Sequence, residues 1–139
     1  MTKDTETLIN EIKDASSIEA FLAKNSAHFS DMSFPDYLHM LLSQKNLSIV
    51  EVQRRGDMTN YVYEIFNGRK NPSRNAVLQL CFGFALSIEE AQNLLRAVKT
   101  GTLYAKDRRD SMLLFGLKER LDGAAINETL VKNGFECIY

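Results

Sequence analysis

The residues best suited to chemistry lie between Leu47 and Arg74, in LSIVEVQRRGDMTNYVYEIFNGRKNPSR. If residues 59–67 are helical, Asn60, Tyr63, Glu64 and Asn67 fall at i, i+3, i+4 and i+7 and share one face. Val62, Ile65 and Phe66 share the other and should pack inward. The polar face offers amide, phenol and carboxylate groups rather than a run of Lys and Glu. Such groups suit the planar donor and acceptor edges that base pairs expose in a groove. Directly after come Arg69-Lys70-Asn71, then Ser73-Arg74 at an expected helix start. Bases beside a helix N-terminus suit phosphate. Residues 53–74 hold Arg54, Arg55, Arg69, Lys70 and Arg74 against Asp57 and Glu64, a local net of +3.

Other chemistries lack their residues. No G-x-S-x-G, P-loop, H-E-x-x-H or dinucleotide fingerprint is present, and the seven glycines are scattered rather than gathered into a phosphate cradle. The expectation is a protein that is not an enzyme, with no cofactor and no evident small-molecule ligand. Cys81 and Cys137 form no CxxC pair and have no metal-ligand spacing to His28 or His39, so no metal is expected. Cys81 sits in an apolar run and reads as a small buried hydrophobe. Unpaired thiols fit a reducing cytoplasm, the start Met1-Thr2-Lys3-Asp4 lacks the order of a signal peptide, and no apolar run is long enough to span a bilayer. The expected location is cytoplasmic.

The elements that must hold these residues are helices. The chain has 139 residues, only two prolines, and 45% hydrophobic and 25% charged residues, an ordinary balance for one folded domain. Apolar spacing is helical nearly throughout, and no useful period-2 strand occurs. Three S-x-x-E capping boxes stand at Ser16–Glu19, Ser48–Glu51 and Ser87–Glu90. Helices are predicted over 4–15, 17–25, 35–44, 48–55, 59–67, 74–85, 88–99, 107–120 and 123–133. Gly56-Asp57 is expected to break the fourth, and Asn67-Gly68 to close the fifth. Charge is uneven: residues 1–32 have three lysines against six acids, net −3, whereas residues 33–76 have six bases against four acids, net +2. The net of −1 thus excludes a polycation that coats nucleic acid while leaving a local basic patch.

Two short helices meeting at a glycine-containing break resemble the Cro/lambda-repressor (XRE) type helix-turn-helix. The strongest match is Ile65-Phe66-Asn67-Gly68-Arg69-Lys70-Asn71-Pro72-Ser73, and Leu86-Ser87 is similar to that family's end of helix four. The resemblance covers residues 33–99. Glu89–Leu95, Leu103-Tyr104, Arg108-Arg109-Asp110 and Ile126–Leu130 extend it to a group of small bacterial proteins of DNA-binding type with this domain in mid-chain. It departs at the turn, where the family has an apolar residue after glycine and this chain has Asp57, then Met58. Either Asp57 takes the packing slot or the turn is one residue shorter. The second is favoured, because a buried Asp needs a partner.

The expected fold is all-α: a five-helix repressor-like core with added helices at both ends. Three parts are expected, an acidic extension (1–32), a helix-turn-helix domain (33–100) and a C-terminal helical pair (101–139). The pair's apolar stripes (Met112, Leu113, Leu114, Leu117; Ile126, Leu130) would complete the core or form a homodimer interface. The resemblance implies sequence-specific double-stranded DNA binding and transcription regulation. Thr59, Asn60, Tyr63, Glu64 and Asn67 would face bases, and Ser48, Arg69, Lys70, Ser73 and Arg74 would hold phosphates. The rival is a protein-interaction adaptor on a degenerate helix-turn-helix, favoured by Glu64 on the reading face. Blander roles are open to several residues. Tyr61 would pack on a neighbour, Arg54 and Arg55 would complement a helix dipole, and Lys106–Asp110 would be a solvated helix start or a docking site.

Overall fold

Local capping sets where the helices begin. The computed structural model describes residues 32–139, and all regular structure among them is helical. In chain order the helices are α1 (Phe34–Lys45), α2 (Ile49–Gly56), α3 (Tyr61–Phe66), α4 (Arg74–Gly83), α5 (Ile88–Ala97), α6 (Arg108–Lys118) and α7 (Gly123–Lys132). The Ser48 and Ser87 boxes form: each Oγ accepts from the backbone N–H of Glu51 or Glu90 at 3.2 Å, and each Glu reaches back to the serine N–H. Ser73, Asp107 and Asp122 cap α4, α6 and α7 in the same way. Such a cap contributes roughly 1 kcal/mol over alanine. The helices predicted over 4–15 and 17–25, the Ser16–Glu19 box and His28 lie outside the described residues.

Helix ends differ from the sequence reading, because residues other than glycine take the left-handed position. Asn46, Asp57, Ala85, Lys99 and Arg120 have φ between 53° and 58° and end α1, α2, α4, α5 and α6. Ala85 therefore stops α4 at Gly83 rather than at 85. Gly56 is not the left-handed break; it is the buried last residue of α2. A Cβ there would stand 2.7 Å from the Gln79 carbonyl oxygen, and one at Gly83 would stand 2.5 Å from that of Val52. The two glycines let α2 and α4 touch. Asp57 takes the turn (φ 56°) exposed to solvent, and Met58 behind it packs half-buried against the core. The charged residue stays out of the packing slot.

α4 is the central helix, buried from Ala76 to Gly83. It packs on α2, α5 and α7, while α1 lies on α3 and α6 on α5 and α7. Val62, Ile65 and Phe66 of α3 are buried, as their spacing predicts, and Phe82 and Phe84 belong to the core. Leu113, Leu117, Ile126 and Leu130 join the same core and are at most 2% exposed. The sequence-based boundary at residue 100 is therefore not a boundary: Phe34–Tyr139 is one compact unit. These four side chains complete the monomer's interior. Gly123 decides how closely α7 seats, since its Cβ position lies within 2.5 Å of the Gly56 backbone. Among the described residues no helix is long and apolar enough to cross a membrane.

Candidate nucleic-acid interface

α3 is short, six residues, and is held from three directions. Its apolar face is buried, His39 Nε2 bonds the Phe66 carbonyl at 3.0 Å, and residues 57–60 join it to α2. At its start Asn60 and Tyr63 are exposed, Tyr63 to 37%. Gln53 of α2 donates from Nε2 to Asn60 Oδ1 at 3.1 Å. That bond leaves the Asn60 amide N–H groups and the Gln53 carbonyl oxygen as a donor and an acceptor at the turn. Gln53 was missed in the sequence reading; the usable signal was a polar amide one turn before the break, seven residues from Asn60.

The remaining base-facing candidates divide. Thr59 Oγ1 accepts from the Tyr61 N–H at 3.3 Å, and Asn67 Oδ1 from the Arg69 N–H at 3.1 Å, so both side-chain oxygens hold the ends of α3. Glu64 is half-buried rather than fully outward, and forms no ion pair with Arg69 or Lys70. Tyr61 has a structural partner: its hydroxyl donates to the Asn71 carbonyl at 3.4 Å.

The phosphate candidates also separate. Arg69 and Lys70 are exposed and without an ion pair among the described residues. Their backbone is fixed, since both N–H groups donate to the Glu64 carbonyl, at 3.0 and 3.2 Å. Ser73 caps α4, so the open N–H groups of that helix's first turn adjoin the two bases. Ser48 is committed to its box, its hydroxyl also reaching Glu51 Oε1 at 3.0 Å.

Arg74 corrects the expectation. Its guanidinium donates to Asp110 Oδ2 at 3.1 Å and Oδ1 at 3.4 Å, and to the carbonyls of Gly101 and Thr102. Asp110 is buried and accepts the Tyr104 N–H as well. A buried carboxylate needs its cation, so Arg74 faces inward. Arg55 is likewise a brace rather than a dipole complement, donating to the carbonyls of Phe82 and Arg120.

The arrangement offers an exposed amide–phenol surface beside two cations without an ion pair among the described residues and a helix N-terminus. Burial pushes the Cys81 thiol far above its usual range, which makes it unreactive. Among the described residues no group of three or more His, Cys, Asp or Glu could hold a metal ion. No family model matches the chain, and no curated protein or solved structure gives a significant match to it.

Proposed function

We propose that the chain binds double-stranded DNA as a helix-turn-helix protein of the Cro/lambda-repressor type, with α2 and α3 as the pair and α3 entering the major groove. The observation that carries this reading is the pairing of surfaces. The exposed start of α3 (Asn60, Tyr63) stands beside a hydrogen-bonded loop whose two cations, Arg69 and Lys70, have no ion pair among the described residues. The Gln53–Asn60 amide pair presents a donor beside an acceptor, the complement of adenine N7 and N6 in the major groove. Arg69, Lys70 and the first turn of α4 contact phosphates. A role in transcription regulation follows from sequence-specific binding, in the cytoplasm of a bacterial cell.

Fluorescence anisotropy on mixed-sequence duplexes, with selection from random duplexes for specificity, tests the reading. Arg69→Ala/Lys70→Ala should lower the salt slope by about 2, at ~0.9 per phosphate. Asn60→Ala or Tyr63→Ala should relax the selected sequence at one or two positions, each worth roughly 1–3 kcal/mol. Absence of salt-sensitive binding by the unaltered protein refutes it. The second reading, a protein-interaction adaptor, is favoured by Glu64, an acid on α3 without an ion pair among the described residues. It would give a protein partner lost in Tyr63→Ala and no protected DNA.

A further inference from the structure

Lys99 and Lys106, between α5 and α6, and Arg108, the first residue of α6, are all exposed and without an ion pair among the described residues. Asp107 is the only acid between Lys99 and Arg109, and its carboxylate caps α6 by accepting the Asp110 N–H at 2.9 Å. Tyr104 is 67% exposed. Among the described residues no hydrogen bond or ion pair ties the side chain of Lys106, Arg108 or Tyr104 to the fold, so a structural bond does not explain their types.

Arg74 and its neighbour fix where this segment lies. Arg74 is the first residue of α4, four positions after Lys70, and its guanidinium binds the carbonyls of Gly101 and Thr102 at 3.3 and 3.1 Å. The same guanidinium binds Asp110, which accepts the Tyr104 N–H at 3.0 Å. One residue on, Asn75 Oδ1 accepts from Arg109 Nη2 at 3.4 Å. Two successive residues of α4 thus grip two successive residues of α6. The N-terminus of α6 and residues 101–104 lie within one arginine side chain of the α4 N-terminus, where the Arg69–Lys70 loop ends.

We propose that residues 101–108 form a second contact with the DNA backbone. Lys106 and Arg108 hold phosphates that flank the base pairs facing α3, and the Tyr104 hydroxyl meets a sugar or phosphate. The proposal rests on the DNA-binding reading of α3. Its support is charge complementarity and continuity with the Arg69–Lys70 loop. A duplex presents a charge every ~1.7 Å along its axis, so phosphates continue past the α3 site. Tyr, Lys and Arg are common backbone contacts that set register without reading sequence.

The test compares the unaltered full chain, Lys106→Ala/Arg108→Ala, Arg69→Ala/Lys70→Ala and a control, Lys118→Ala/Lys132→Ala. The control removes the same charge at the far ends of α6 and α7. Anisotropy titrations use mixed-sequence duplexes of about one and about three helical turns. The unaltered chain should show a steeper salt slope on the long duplex than on the short one. Lys106→Ala/Arg108→Ala should lower the long-duplex slope by about 2 and leave the short-duplex slope within error, and the control should move neither. If the Lys106/Arg108 variant matches the control while Arg69→Ala/Lys70→Ala still weakens binding, the second contact is refuted and the first stands. If the unaltered chain binds neither duplex, both are refuted. Melting temperatures of all variants should match, since the six side chains replaced are exposed.

Discussion

Replacing Arg74 with methionine keeps much of the apolar stem and removes the guanidinium that Asp110, Gly101 and Thr102 share. Asp110 would then be buried with one backbone donor, the Tyr104 N–H, and no cation; its side chain is 8% exposed. Removing one partner of a fully buried ion pair costs roughly 3–5 kcal/mol. The Arg74 side chain is 30% exposed, so water re-enters and the cost falls to about 2–3 kcal/mol. For a unit of about 100 residues that lowers Tm by about 10–20 °C. Urea unfolding followed by circular dichroism measures it. Asp110→Asn should destabilise in the same direction, and the double variant should lose much less than the sum, because the two changes share one interaction. A phosphate contact by Arg74 predicts the opposite pattern: Tm within about 2 °C of the unaltered protein and a salt slope lowered by ~0.9. That result would refute the inward assignment. It would also show that the reciprocal grip between α4 and α6 is not what positions the loop.

Three further outcomes are expected. Gly123→Ala places a Cβ 2.4 Å from the Gly56 carbonyl oxygen, a backbone neighbour that must shift, and should cost about 1–3 kcal/mol in urea unfolding. Burial raises the Glu90 carboxyl, but the Ser87 N–H and Lys45, whose Nζ lies 3.1 Å from Oε2, outweigh it and hold the group below its usual range. Its contribution is therefore present above the unfolded carboxylate pKa of about 4.3 and is lost as pH falls through the lower folded value, so Glu90→Gln should flatten that acid limb of a stability–pH curve. With Ellman's reagent, half-buried Cys137 should react in the folded protein and fully buried Cys81 only on unfolding; equal rates would contradict the packing around α4.

Local rules made much of this fold legible from the sequence. Capping serines and aspartates bond within three residues, so Ser48, Ser73, Ser87 and Asp122 marked helix starts without knowledge of the rest of the chain. The period of Val62, Ile65 and Phe66 named the inward face of α3 for the same reason. Helix ends were less legible. Asp57 and Ala85 take left-handed turns that glycine usually fills, and the freed Gly56 serves close packing instead. Of the site, the exposure of Asn60, Tyr63, Arg69 and Lys70 matched the reading.

Tertiary structure alone decided where Arg74 points, because Asp110 is thirty-six residues away and no local pattern marks the pair. It also decided that the C-terminal helices complete the core. Their apolar stripes fit a dimer interface equally well, and burial of Ile126 and Leu130 against α2 and α4 depends on Gly123 meeting the Gly56 backbone. Sequence encodes the contacts a helix makes with itself. Partners chosen across the chain depend on shape and on the need of a buried charge for its counterpart, and these exist only once the helices have met.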